Sequence, residues 1–550
     1  MLRLLLISII LLFVSDIAFT QPSGAGNQKL ITAFDSIMKK EFKPNEPGAS
    51  VIVVKKGEVL YKKGFGMADM ELNVPVNADM IFRLGSITKQ FTALAIMQLA
   101  DKGKLSLSDL LTKYIPDYAI KEPITIEQLL NHTSGIKSYT NVDSFWAQMR
   151  TDLTPRQIIK LTEKDTLEFK PGTKWNYNNT GYVILGYIIE KVAGISYETY
   201  VQQNLFAPAG MKNSYYGNES KIIKNRAKGY KKNGTEFQIS DYISMTLPYA
   251  AGSLISTVED LWKWNKALYS YQLVKKEWVD KAITPYVLPD GSSTGYGFGL
   301  SVANVQGSKS IEHGGGIPGF LTDGIYLPGE QVFVAVFSNC DCKRPDAVTT
   351  KLAAIAIGKP YNYKALPITE ADAKQFEGVY INKNEERIIK WKEGKLTSQR
   401  SGGNLFTINM YAKDKFFFDD SFSFIEFTRN TKGVIEGLKF KSRTEEVTWS
   451  KSDKPLPSEK KIVTVAPEIL KDYVGAYQLA PNFIITITLE ENQLYGQATG
   501  QSKLLLQPIS NTRFKVKDVE AEVEFKQNAE GKTESLALHQ GGREVPGKKQ

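Results

Sequence analysis

Residues 82–92 read FRLGSITKQFT, with Ser86 three places before Lys89. That spacing alone decides nothing. Both residue types are common, and chance gives on the order of three such pairs in a chain this long. The chain holds Ser36/Lys39, Ser86/Lys89, Ser134/Lys137 and Ser458/Lys461. Context separates them. Ser36 lies in LITAFDSIMKKEF, an amphipathic helical pattern, Ser458 in a Pro- and Lys-rich linker, and Ser134 in LLNHTSGIK, read as a turn after a helix. Ser86 follows Gly85 and opens TKQFTALAIMQLADKGK, where Phe91, Leu94, Ala95 and Leu99 recur at helical spacing before Gly103. One helical turn then sets Lys89 beside the hydroxyl, in apolar surroundings that favour its neutral form. The helix start also offers backbone N–H groups to a developing negative charge.

Outward from that helix, ASVIVVKKGEVLYKKGFGMAD predicts a hairpin turning at Lys56-Gly57. Further helices are expected near 182–193 and 258–269, and strands at GFGLSV and GEQVFVAVFSN. Strands at both ends with helices between imply one sheet assembled from the two ends of a large domain. Beyond residue 358 helical periodicity fades into short β-rich runs. The linker SDKPLPSEKK divides them into halves alike at an offset of about 98 residues. FEGVY matches YVGAY, Leu396 falls on Leu494, Phe416 on Phe514, Glu426-Phe427 on Glu524-Phe525 and Gly433 on Gly531. Two tandem antiparallel barrels are the simplest fit.

A chain of 550 residues with 42% hydrophobic and 23% charged residues is multidomain and globular. Its first twenty residues, with Arg3 before LLLISIILLFV and small residues up to Gln21, read as a signal peptide. An uncleaved N-terminal anchor is the rival reading. The net charge of +10 fits a solvated surface or loose association with an anionic cell envelope, and no basic stripe interleaved with aromatics points to nucleic acid. His132, His313 and His539 lie far apart, so neither a metal nor a cofactor is expected. Cys340 and Cys342, in SNCDC, can bridge only with strain, and an inert role is expected.

A nucleophilic serine also needs an oxyanion site and a second proton carrier. KWNYNNTGY offers Tyr177 and Asn179 ahead of a helix, and IEHGGGIPGF offers His313 before three glycines that let a backbone approach a substrate closely. Gly291 to Gly295 match the G-x-S-x-G elbow, but loop precedes and strand follows, so that elbow is rejected.

The ordered set Ser86-x-x-Lys89, Tyr177-x-Asn179 and His313-Gly314-Gly315 resembles the serine β-lactamase and penicillin-binding superfamily. Tyr177 points to the class C branch, which also holds D-alanyl carboxypeptidases, esterases and D-aminopeptidases. The likeness covers roughly residues 28–358. It implies an α+β catalytic domain, with an antiparallel sheet flanked by helices plus an all-α region, followed by two lipocalin-like barrels. The divisions are a signal peptide at 1–20, the hydrolase domain at 21–358 and barrels at 368–451 and 466–550.

It further implies that Ser86 is acylated, that Lys89 and Tyr177 share its proton, and that Tyr177 activates the deacylating water. Asn179, His313 and Gly315 would line the substrate, with the N–H groups of Ser86 and Gly316 as oxyanion donors. His313 stands where the family often has Lys, which weakens a dedicated β-lactamase reading. The expectation is an exported serine hydrolase acting on small peptides, amides or esters, with D-amino-acyl or peptidoglycan-derived compounds favoured. The alternatives are a β-lactamase, a carboxylesterase, or a non-catalytic envelope-binding or sensor protein. His132 is expected to hold its loop by hydrogen bonds, and Trp175, Trp262 and Trp264 to serve packing. His539 is read as incidental, and Asn178 suggests no role.

Overall fold

The computed structural model describes residues 25–419, 422–457, 461–480 and 483–550. The signal-peptide reading and Ser458 fall outside the described residues. The central sheet begins with β1 (Ala49–Lys55) and β2 (Glu58–Phe65), a hairpin whose turn residues Lys56 and Gly57 both take positive φ. It is completed by β3 (Ser301–Val305), β4 (Ser308–Ile317), β5 (Phe320–Leu327) and β6 (Val332–Ser338), all antiparallel, in the order β3-β4-β5-β6-β1-β2. The expected strand GFGLSV is displaced. GFGL forms a bend, because Gly299 packs against the Lys89 carbonyl, and pairing starts only at Ser301.

The pairing of β1 with β6, from Ala49↔Ser338 to Lys55↔Val332, joins the two ends of the domain. Both strands are buried on both faces, which is why they read as unbroken apolar runs, VIVV and VFVAVF. On one face Val51, Val53, Val334 and Val336 meet Phe34 and Met38 of α1 (Ala25–Glu41) and Leu352 of a helix at Pro345–Ala356. On the other, Ile52, Phe333 and Phe337 join the core of the helical region. Each such side chain contributes about 1.5–3 kcal/mol by burial.

Helix α2 (Thr88–Asp101) runs through that second core with every residue from Thr88 to Leu99 buried. A helix enclosed on all sides needs partners for its polar groups. Thr92 Oγ1 donates to the Ala250 carbonyl at 2.6 Å, and Gln90 Oε1 accepts from Trp264 Nε1 at 3.1 Å. Helix α3 (Asn179–Ala193) crosses it, capped by Asn178, whose Oδ1 accepts from Gly181 N at 2.7 Å. That cap is the role of Asn178.

Two closed eight-stranded antiparallel barrels follow, the first from Gly378–Asn382 to Glu446–Lys451 and the second from Gly475–Ala480 to Arg543–Lys549. Their internal likeness is structural. Tyr380 and Tyr477, both buried, donate their hydroxyls to the carbonyls of Phe376 and Tyr473 at 2.7 and 2.8 Å. The 442–445 turn of the first barrel docks on the catalytic domain. Arg443 pairs with Glu312 of β4, and its carbonyl accepts from Asn304 N at 2.8 Å.

Cys340 and Cys342 are joined by a disulfide, since the turn at SNCDC brings their Cα atoms to 5.1 Å. Trp175 packs only in part: it meets the rings of His132 and Tyr296 at 6.2 and 6.0 Å between centroids and is otherwise 37% exposed. Trp264 is buried and Trp262 packs on Phe333, as expected. His539 Nε2 lies within hydrogen-bond distance of Glu524 Oε2, at 3.0 Å.

Candidate active site

Ser86 sits in a single 3-10 turn, Gly85–Ile87, that leads directly into α2. Gly85 has φ +53°, and a Cβ on it would lie 2.9 Å from the Gly316 nitrogen. Only glycine therefore lets the nucleophile's turn approach the glycine stretch of β4 so closely. Gly315 is placed by the same close approach. It is buried, and a Cβ there would meet the Leu84 carbonyl at 1.9 Å, so only glycine fits this backbone packing. Thr322 of β5 reinforces the contact by donating to that carbonyl at 2.8 Å. Gly316 is exposed beside the Ser86 turn, as an oxyanion donor requires.

Lys89 is fully buried. Its Nζ lies 3.1 Å from Ser86 Oγ, 2.8 Å from Asn179 Oδ1 and 2.9 Å from the Ala251 carbonyl. Two of these partners can only accept, while the third is a hydroxyl. A neutral amine fits: two N–H bonds go to the carbonyl oxygens, and its lone pair faces the serine O–H. Burial pushes the ammonium well below its ordinary range, and no carboxylate opposes that shift. The ring of Tyr177 lies 4.8 Å from the amine.

The Tyr177 hydroxyl is buried and makes no hydrogen bond of ordinary geometry. Burial raises its pKa, with Ser86 close enough to act in the opposite sense. Tyr177 thus rests as a phenol, and the amine is the better base. Two bonds to His132 bracket it: Asn176 N donates to the His132 carbonyl at 3.0 Å, and Asn178 N to His132 Nδ1 at 3.1 Å. His132 positions Tyr177, which extends its expected loop-holding role.

Asn179 opens α3, and its Nδ2 donates to Thr140 Oγ1 at 3.2 Å. His313 is buried, with Nδ1 2.5 Å from the Gly314 carbonyl and Nε2 2.9 Å from Tyr296 Oη. Nδ1 therefore carries the proton, and Nε2 accepts from the phenol. Desolvation is the largest cause that lowers its pKa, to about 4. His313 is a neutral wall of the cleft, not a cation. Tyr296, Ala251, Thr140 and Thr322 carry no motif, and sequence reasoning missed them.

These residues lie within 30–358, the span matched by the family model described as Beta-lactamase. The chain belongs to the beta-lactamase family. Residues 459–549 match a second family, described only as a domain of unknown function (DUF3471). Penicillin-binding protein 4* of Bacillus subtilis (strain 168) is 26% identical over 541 residues, covering 94% of this chain and 97% of that one. An octameric penicillin-binding protein homologue from Pyrococcus abyssi superposes with a TM-score of 0.54 at 27% identity, over 87% of this chain and 99% of its own. A D-stereospecific amidohydrolase from Streptomyces sp. gives 0.52 at 26% identity, over 58% and 98%. The fold is thus a beta-lactamase-like domain followed by two barrels, and the chemistry of the family is that of serine hydrolases.

Proposed function

We propose that this protein is an exported serine hydrolase forming an acyl-enzyme on Ser86, with small peptides, amides or esters as substrates. One observation carries the reading: a fully buried lysine amine, 3.1 Å from a partly exposed serine hydroxyl, whose other two partners are neutral carbonyl oxygens. In acylation, Ser86 Oγ bonds to the substrate carbonyl carbon as its proton passes to Lys89 Nζ. The oxyanion is received by the N–H groups of Ser86 and Gly316. As the carbonyl re-forms, the bond to the leaving nitrogen or oxygen breaks, and the proton returns from Lys89 through the Tyr177 hydroxyl to that atom. Water then repeats the sequence, its proton reaching Lys89 through Tyr177, and Ser86 recovers its own as the acid departs. Asn179 both fixes the amine and faces the substrate amide.

His313 refines the substrate class. A neutral imidazole offers no fixed charge to a carboxylate, so neutral amides, esters and peptides with a free amine suit the cleft better than a penicillin-like acid. Likeness to a D-stereospecific amidohydrolase supports D-amino-acyl or peptidoglycan-derived compounds within that class. Export rests on the N-terminal Arg3 and LLLISIILLFV.

The test is a panel run on wild type and Ser86→Ala: D- and L-alanine p-nitroanilides, a p-nitrophenyl ester, a D-Ala-D-Ala peptide and a chromogenic cephalosporin. Turnover of the D-anilide or ester, lost in the variant, is expected. Silence across the panel would favour a binding protein, and preferred cephalosporin turnover would overturn the substrate class.

A further inference from the structure

The first barrel encloses a cation that its fold does not require. Arg387, on the strand Glu385–Lys392, points inward and is 5% exposed. Its Nη1 donates to Ser398 Oγ at 3.0 Å, and the guanidinium lies 4.4 Å from the Phe440 ring and 5.1 Å from the Trp449 ring. Among the described residues no carboxylate reaches it. Glu385 and Glu445 act on it only from a distance, and Glu385 is taken by Arg400. Arg387 Nε and the neighbouring Trp449 Nε1 are both buried donors without a partner. Burial draws the guanidinium down to about 10, so it remains charged at neutral pH. Burying an unpaired charge beside two unmet donors is costly, and native barrels avoid it unless something answers it.

The second barrel supplies the control. Strand registers match: Ile389↔Ser398 corresponds to Ile487↔Gly496, and Leu438↔Trp449 to Leu536↔Gly547. At the places of Arg387, Ser398, Phe440 and Trp449 it carries Ile485, Gly496, Leu538 and Gly547. That barrel closes without any of the four. Closure therefore does not explain the arginine and its indole neighbour, whereas a ligand does.

We infer that this end of the first barrel, next to the 442–445 turn, is a binding site for an organic carboxylate with an apolar body. Its two oxygens accept from Arg387 Nε and Trp449 Nε1, and the body lies against Phe440 and Phe418. The two unpartnered N–H donors lie among the aromatic rings of Phe440 and Trp449, which suits a carboxylate carrying an apolar body better than a fully hydrophilic inorganic phosphate. Phe440, only partly buried, is the side chain an entering ligand displaces. An acyl chain and an acylated amino acid share this chemistry, and two probes separate them.

The experiment is calorimetric titration of the full chain with octanoate, N-acetyl-D-alanine and inorganic phosphate. All samples carry Ser86→Ala, and Arg387→Ile and Trp449→Phe are each added to that parent. At least one carboxylate should bind the parent, about tenfold or more weaker with Arg387→Ile and a few-fold weaker with Trp449→Phe. The stronger of the two names the source. Equal carboxylate binding by parent and both variants overturns the site, as does no carboxylate binding at all or binding of phosphate in preference to both. Should Arg387→Ile not fold, Trp449→Phe decides alone.

Discussion

Two buried basic side chains, one in the catalytic cleft and one in the first barrel, face the same problem and solve it differently. Lys89 is ringed by neutral oxygens, and Arg387 by a serine and two aromatic rings; neither has a carboxylate. A lysine amine can shed its proton when desolvated, whereas the Arg387 guanidinium keeps its own at neutral pH. The same isolation makes the first residue a base and leaves the second a cation that calls for an anion. The lesson is that burial without a counter-ion has no fixed functional meaning until the side chain's own chemistry is considered.

Substitutions can break or sharpen that contrast. The largest effect is expected for Ser86→Ala, which removes the atom Lys89 serves. kcat/KM should fall by about 10⁴-fold or more with unchanged thermal unfolding, and appreciable residual turnover would relocate the nucleophile. Lys89→Arg goes to the heart of the contrast, because it keeps a cation and discards the proton acceptor. A loss of about 10³-fold, not recovered at raised pH, is expected, and a variant within tenfold of wild type would show that Lys89 acts as a charge.

Tyr177→Phe should cost about 10²-fold, mainly in kcat, since a relay is lost while the base remains. Acid stability reports the neutral wall. The folded pKa of His313, about 4, lies below the ordinary 6.5, so between those values the unfolded chain binds the extra proton. Stability is therefore full above about 6.5 and falls as pH drops toward 4, by about 3 kcal/mol from this group, with His132 acting in the same sense. His313→Gln should flatten that slope in denaturant titrations, and an unchanged slope would mean the ring is not neutral. The smallest effect belongs to Arg387→Ile, which imports the twin barrel's residue. Without ligand it should raise stability by about 1–3 kcal/mol, and a loss would show that the guanidinium is a structural element of the barrel.

Much of this arrangement was legible in the residues. The pair Ser86 and Lys89 was separated from its rivals by the apolar helix that follows it. VIVV and VFVAVF announced strands covered on both faces, and matched pairs such as Phe416/Phe514 announced the repeated barrel. Other features left no trace. The close packing of Gly315 on the Leu84 carbonyl is one, because a strand's facing partner is invisible along the chain. Trp175 reads as packing yet is partly exposed, and SNCDC gives no sign of whether its two cysteines bridge. Tyr296 lies seventeen places before its partner His313, with no motif to mark it.

By itself, then, the sequence determined which chemical groups exist and which sit one helical turn apart, since those follow from local geometry. The protonation state of each was decided only by tertiary structure. Lys89 is pushed toward its neutral form by the helices that exclude water around it, and Arg387 is isolated by strands that meet only when the barrel closes. Desolvation depends on everything that surrounds a group, and no stretch of sequence contains its own surroundings.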